Sequence, residues 1–245
     1  MSLPATPPPT SGSRRILLTR PEPGAARTRA RLEAMGHNVV VDPMLRLQET
    51  GAPLPRGPFS ALAFTSSHGV RALAARPQAS ALRGLPVFTV GARTGAQARA
   101  AGFTHVIEAE GNVEALAALL GARLAPGARI LHAAGADRAG DLATLLGRHH
   151  LAVALCVLYA MRPAQKLADA TRQALIEGRL DTALHYSTRS AQTLLHCVAT
   201  DGIKELLRAL RHLCLSSAIA APLAAAGCTV QIAEAAEEDA LLTLL

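Results

Sequence analysis

The sequence predicts an α/β protein of two domains, each a parallel sheet flanked by helices. Three observations predict it. Short apolar runs alternate with helical runs along all 245 residues, the pattern of a parallel sheet covered by helices. The runs ALAF at 61–64 and VALCVLY at 153–159 are apolar without alternation, as strands buried on both faces are. The pattern also repeats. ALAFTSSHGVRAL, from Ala61, returns as ALHYSTRSAQTL from Ala183, 122 residues later.

The start, MSLPATPPPTSGS, is rich in Pro, Ser and Thr and predicts a disordered tail over 1–13. It lacks an apolar core and an early basic residue, so no signal peptide is expected. Ile16–Leu18 then reads as a short buried strand, followed by a Pro/Gly turn. Leu32 and Met35 have helical spacing and Gly36 supplies a stop. Val39–Val41 is the next strand. The same order returns 114 residues later: strand at Ile130-Leu131, AAGADR as the turn, a helix marked by Leu142, Leu145 and Leu146 stopping at Gly147, and a strand at Val153–Leu158. The second parts match as well. Gly102 pairs with Gly227, Ala115-Leu116 with Ala240-Leu241, and Leu119-Leu120 with Leu244-Leu245. The chain reads as a duplicated unit of about 115 residues, about one domain each.

Half of the chain is hydrophobic, with four Phe, two Tyr and no Trp. The core must be aliphatic, and aromatic stacking platforms for single-stranded nucleic acid are not expected. The net charge is +7, nearly all from arginine, since Lys166 and Lys204 are the only lysines. Arginine forks suit carboxylate and phosphate. The excess fits either an anionic partner or the coding bias of a GC-rich genome. No Lys/Arg block marks a nucleic-acid tail. Cys156, Cys197, Cys214 and Cys228 fall in no CxxC and no zinc spacing, and imply a reducing, cytoplasmic compartment. The longest apolar run, Leu151–Met161, is too short to span a bilayer.

Several chemistries lack their motifs. There is no GxxxxGK[ST], no GxGxxG after the first strand, no GxSxG and no HExxH. The histidines read as surface or capping residues, and Glu234–Asp239 as a solvated face before the last helix. No carboxylate pair stands out as an acid/base couple, so an enzyme here would act largely by binding and positioning.

The hydroxyl clusters stand where strands end and helices begin, which is where open parallel sheets bind ligands. Thr65-Ser66 and Ser187-Thr188 can cap the following helix, and its free first-turn N–H groups can take an anion. A plain cap is the commoner role of one such Ser or Thr. Two equivalent junctions, together with Gly91-Ala92-Arg93-Thr94, Gly135-Ala136-Asp137-Arg138 and Ser216-Ser217, favour a site for a multiply anionic ligand.

The sequence resembles the uroporphyrinogen-III synthase family. The matching stretches are LLTRP at 17–21, FTSSHGV at 64–70, VFTVGARTGAQARAAGF at 87–103, ILHAAGADR at 130–138, VLYAMRP at 157–163, HYSTRSA and CLSSAIAAPLAAAG. The resemblance runs in order through nearly all of 14–245. It implies that the domains are not the sequence repeats: 14–43 plus 163–245 would form one, 48–156 the other, with linker strands at 44–47 and 157–162 and a cleft between the domains. It implies hydroxymethylbilane, a linear tetrapyrrole with eight carboxylates, as substrate. It further implies cyclisation with inversion of ring D and loss of water, without metal or organic cofactor. Tyr159 matches the family's tyrosine at the end of the linker strand and is the candidate proton donor. Thr19, Arg20, Thr65, Ser66, Ser67, Gly91, Arg93, Thr94, Gly135, Arg138, Ser187, Arg189, Ser216 and Ser217 carry over as substrate contacts. Ser216-Ser217-Ala218-Ile219 departs from the family's usual Gly and Thr. The chain is expected to be a cytoplasmic monomer with the upstream hydroxymethylbilane synthase as a protein partner, and to bind neither nucleic acid nor membrane. The alternative is a non-catalytic two-domain binder of an anionic small molecule. A nucleic-acid binder is suggested only by the isoelectric point near 10, against spread arginines and few aromatics.

Overall fold

A computed structural model describes residues 12–138 and 140–245. In chain order the first half contains β1 (Arg15–Leu18), α1 (Gly24–Ala34), β2 (Asn38–Val41), β3 (Leu45–Glu49), β4 (Ala61–Phe64), α2 (Ser67–Ala74), α3 (Ala79–Leu82), β5 (Val87–Thr89), α4 (Ala92–Ala100), β6 (Val106–Glu108) and α5 (Val113–Arg123). The second half contains β7 (Arg129–Gly135), α6 (Leu142–Gly147), β8 (Ala152–Pro163), α7 (Asp169–Ile176), β9 (Thr182–His185), α8 (Thr188–Thr200), a 3-10 turn (Lys204–Ala209), β10 (Arg211–Cys214), α9 (Ser217–Ala225), β11 (Thr229–Ile232) and α10 (Glu238–Leu242). The expected tail over 1–13 lies outside the described residues, apart from Gly12 and Ser13. The Ser13 hydroxyl donates to the Gly36 carbonyl at 2.7 Å.

The chain divides into two compact units, one of the described residues up to Arg46 with Arg162–Leu245, the other of Leu47–Met161. In the first, the strand order is β11-β10-β9-β1-β2, all parallel. Alternate residues of its strands feed opposite faces. Ile16, Leu18, Leu184 and Leu213 pack with Leu32, Leu241 and Leu242 of α1 and α10. Leu17, Ala183 and Cys214 pack with Leu175, Leu194 and Leu223 of α7, α8 and α9. Burial on both faces explains why these strands show no polar alternation.

In the second unit the order is β3-β8-β7-β4-β5-β6, and β8, β7, β4, β5 and β6 run parallel. Leu62, Phe64, Leu131 and Ala133 face Val70, Leu73 and Ala98 of α2 and α4. Ala61, Ala63, Phe88 and Ile130 face Leu116, Leu120, Leu142 and Leu146 of α5 and α6. The helix α2 can lie close because Gly69 has no side chain, as a Cβ there would meet the Ala133 carbonyl oxygen at 2.5 Å.

The repeat acquires a precise meaning here. Apart from β3 at the edge of the six-stranded sheet, both sheets have the same order when their strands are named by place in the repeat: second and first strand of one copy, then third, fourth and fifth of the other. Ile16 pairs with Val39 and Thr182, and its counterpart Ile130 pairs with Val153 and Ala61. Each unit therefore combines halves of both copies. The expectation of one repeat per domain is corrected by this exchange. Two elements also differ from the sequence reading. AAGADR is not all turn, since β7 continues through Gly135. Met35 follows α1 as its C-cap and is exposed rather than packed.

Each sheet reverses direction of growth once, at β1/β9 and at β4/β7. Such a switch point leaves a crevice at the carboxyl ends of the two strands.

Candidate functional site

At the β4/β7 switch point lies a cavity of about 380 Å³ lined by residues that include Thr65, Ser66, Gly135, Arg138 and Tyr159. Ser66 follows β4 and is the N-cap of α2, its oxygen accepting from the Gly69 N–H at 3.1 Å. The same oxygen lies 2.7 Å from the Tyr159 hydroxyl. Gly69 fills one Ser66 lone pair, and either hydroxyl can donate in the Ser66–Tyr159 bond; in one arrangement the serine donates to the phenol oxygen. The phenol proton is then available to the cavity.

Tyr159 reaches this place through an irregularity in β8. The β7–β8 register shifts between Ala134 and Gly135, so that Ala134 pairs with Val157 but Gly135 pairs with Tyr159. The additional residue re-aims the side chain, as bulges beside sites often do. Leu158 and Tyr159, neighbours in sequence, consequently pack in the same cluster as Leu131 and Ala133. Gly135 makes the space: a Cβ on it would stand 2.7 Å from the Tyr159 ring. The His68 ring lies tilted beside the phenol, ring centroids 5.7 Å apart.

Thr65 is held from behind by His132, Oγ1 to Nε2 at 3.2 Å. His132 is buried, and burial with the nearby charge of Arg138 pushes its pKa down to about 4. It is neutral at pH 7 and holds Thr65 without adding charge. Arg138 folds back on the end of β7, donating to the Gly135 and Ala136 carbonyls at 3.1 and 3.3 Å. Asn112, Glu114 and Asp137 complete much of the polar wall. The sequence pointed to Asp137 only as part of the stretch Gly135-Ala136-Asp137-Arg138, and made neither Asn112, Glu114 nor His132 a site residue. The one available signal was that Asn112 precedes the helical run VEALAALL as a cap, and it does accept from the Ala115 N–H.

Ser67, Gly91, Arg93 and Thr94 were also expected here and do not line the cavity. Ser67 opens α2, while Gly91 is the N-cap of α4, with no side-chain cap hydrogen bond, its carbonyl accepting from the Thr94 and Gly95 N–H groups. Arg93 is exposed on the first turn of α4, and Thr94 is buried.

The other unit has a different centre at its β1/β9 switch point. Arg20 lies over the Tyr186 ring, 4.4 Å from its centroid, and donates to Thr28 and Glu238 at 3.0 Å each. The Tyr186 hydroxyl donates to Glu238 at 3.2 Å, the Thr28 hydroxyl also donates to it, and Arg31 pairs with it at 3.4 Å. Burial alone would raise the Glu238 pKa, but the Thr28 hydrogen bond and the Arg20 charge hold it below the usual range. Glu238 alone departs from the expected solvated face at 234–239, because it ties α10 to the ends of β1 and β9 and to α1; Glu234, Glu237 and Asp239 are exposed as expected. Glu238 also occupies Arg20, expected to be a substrate contact. Thr19 is likewise committed: it is fully buried and its hydroxyl donates to the Leu184 carbonyl at 2.9 Å.

Ser187 caps α8, accepting from the Ser190 N–H at 3.1 Å, and Arg189 is exposed in the first turn of that helix. Ser216 is the N-cap of α9 without a side-chain cap bond, and Ser217 is the first residue of that helix. The two units thus match again. In each, one junction is capped by Ser (66, 187) and the next is not capped by a side chain (91, 216). Uncapped helix starts are favourable for carboxylates. Among the described residues, no three His, Cys, Asp or Glu side chains converge as a metal would require, and no helix is long and apolar enough to cross a membrane.

Fold and site define a class: a duplicated, doubly wound α/β protein with hydroxyl- and amide-rich crevices at its switch points. Comparison makes the class specific. The family model of uroporphyrinogen-III synthase HemD matches residues 26–243. The chain belongs to the uroporphyrinogen-III synthase family, enzymes of tetrapyrrole synthesis. A crystal structure of uroporphyrinogen-III synthetase from Helicobacter pylori superposes with a TM-score of 0.62 at 19% identity, over 94% of this chain and 97% of that one. A mutant uroporphyrinogen III synthase from the extremely thermophilic bacterium Thermus thermophilus gives 0.51 at 17% identity, over 94% and 96%. Both share the fold. No curated protein sequence matches the chain significantly. Family membership disfavours the non-catalytic binder.

Proposed function

We propose that the chain is a cofactor-independent cyclising lyase that converts hydroxymethylbilane to uroporphyrinogen III, and that Tyr159 is its proton donor. The observation that carries the proposal is the Ser66–Tyr159 hydrogen bond at the β4/β7 crevice, taken with the serine hydroxyl donating to the phenol oxygen while the serine oxygen accepts from the Gly69 N–H.

The chemistry then follows from the substrate. Loss of the terminal hydroxyl needs a proton on the departing oxygen, and leaves an electrophilic azafulvene. Tyr159 supplies that proton, and Ser66 stabilises the phenolate that forms. The substituted carbon of ring D attacks the azafulvene to give a spiro intermediate, which fragments and recloses with ring D turned. Proton positioning of this kind contributes roughly 10²- to 10⁴-fold. Unassisted closure gives the symmetric isomer, so the protein must hold the chain ends in the reactive geometry. Thr65, Ser66, Gly135 and Arg138 are assigned to the reacting end. Ser67, Gly91, Arg93, Thr94, Ser187, Arg189, Ser216 and Ser217 are assigned to substrate carboxylates. The strands at 44–47 and 157–162 are assigned as linkers between the domains 14–43 plus 163–245 and 48–156. The setting is the cytoplasm, with the chain acting as a monomer supplied by hydroxymethylbilane synthase.

Tyr159→Phe tests the role of the phenol. The expected result is a kcat at least roughly 10²-fold lower with KM little changed. A kcat within about twofold of the parent would remove Tyr159 from the mechanism.

A further inference from the structure

The strand β7 carries an imidazole where its surroundings suit an aliphatic side chain. Side chains alternate along a strand, so Ile130, His132 and Ala134 share one face. On that face Ile130 packs with Ala61, Ala63 and Phe88 beneath the leucines of α5 and α6. His132 is 4% exposed and stands level with Ala63. A polar ring in such a layer costs free energy unless it is hydrogen-bonded. Leucine would fill the place without that cost. The bond that offsets it joins the imidazole Nε2 to the Thr65 Oγ1 at 3.2 Å.

Thr65 lies two residues beyond Ala63, just past the end of β4, which brings its hydroxyl diagonally across the β4–β7 pair to His132. It is half-buried and lines the cavity with Ser66 and Tyr159, whereas His132 is not among the described lining residues. A threonine hydroxyl is a rotor with one proton and two lone pairs. The imidazole, neutral at pH 7, either accepts that proton or donates its own to a lone pair. Each arrangement stops the rotor and leaves Thr65 one fixed hydrogen-bonding direction toward the cavity. A buried histidine thus acts on the site through a residue that touches it.

We propose that His132 is a positioning residue: by fixing the Thr65 hydroxyl, it sets the direction of one substrate contact at the reacting end. This role rests on the lyase reading and on the assignment of Thr65 to that end. A wandering hydroxyl still allows the rest of the substrate to bind but holds the reacting end less well. The loss therefore belongs in kcat rather than in KM.

The experiment is a double-mutant cycle between His132 and Thr65 in the full chain, with hydroxymethylbilane as substrate and type III product measured. His132→Leu, which fills the apolar layer, is expected to lower kcat about tenfold, with KM within about twofold and the melting temperature within a few degrees of the parent. Thr65→Val is expected to lose at least as much. Adding His132→Leu to Thr65→Val is expected to cost nothing more, because the histidine acts through that hydroxyl. His132→Gln, whose amide can reach the place of Nε2, is expected to recover most of the kcat. A role in the core alone would lower the melting temperature of His132→Leu and leave its kcat within about twofold of the parent. That result would overturn the proposal. So would losses that multiply in the double variant, a His132→Gln no more active than His132→Leu, or failure of both His132 variants to fold. Type I alone from the parent protein would instead remove the lyase reading, and this role with it.

Discussion

Gly135 is the residue at which the fold yields room to a phenol. The β8 bulge places Tyr159 opposite it, and any Cβ would press on the ring at 2.7 Å. Gly135→Ala should therefore displace Tyr159 from Ser66, at the edge of one hydrophobic cluster, while leaving the cluster around Leu116, Leu120 and Leu146 in place. Activity is expected to fall about tenfold or more, with a melting temperature within a few degrees of the parent. Equal activity with the ring moved, seen in a structure of the variant, would show that the Ser66–Tyr159 contact has no part in turnover. His132 shows the limit of reading residues from sequence. Nothing in ILHAAG marks its histidine as buried behind Thr65. Only the register of β7 against β4, which pairs His132 with Ala63, sets it there.

Helix starts carry the second set of tests. Ser66 and Ser187 make the same cap bond, each accepting from the third residue onward at 3.1 Å. Replacing either with Ala should cost about 1 kcal/mol, or roughly 2–4 °C in melting temperature for a chain of this size. Ser66→Ala should in addition lower kcat, because Ser66 and not Ser187 touches Tyr159, whereas Ser187→Ala should show chiefly in KM through its assigned carboxylate contact. Matching activity losses in the two variants would contradict that assignment. The elements themselves were largely legible. Ile16–Leu18, Val39–Val41 and the helix ending at Gly147 emerge where apolar runs and Gly stops predict them, because local propensity and burial agree there. What was not legible depends on distant partners. The length of β7 is set by pairing with β8, and the role of Glu238 by Arg20 and Thr28, which lie 218 and 210 residues earlier in the chain.

At the scale of the whole molecule, buried histidines set an acid limit. His132 and His185 have pKa values lowered to about 4 and about 3, chiefly by burial, and His212, hydrogen-bonded to His185 at 2.9 Å, is lowered as well. All three are neutral in the fold and bind protons readily only when unfolded. Stability is therefore complete above the ordinary histidine value near 6.5, and is lost as pH falls from there toward the folded values. Melting followed by calorimetry should show Tm falling between about pH 7 and pH 5, with proton uptake on unfolding at the acid end. A flat Tm over that range would contradict their burial. The repeat was visible in the sequence, but the exchange of halves between units was not, since both arrangements pair strands of the same apolar character. The multiply anionic ligand was legible from the arginines and hydroxyl junctions, whereas the reaction required the family. The most direct measurement is the isomer composition of the product. Hydroxymethylbilane is generated in situ, the purified protein is added, and the oxidised porphyrins are separated. The account predicts mostly type III. Type I alone, the product of unassisted closure, would contradict it.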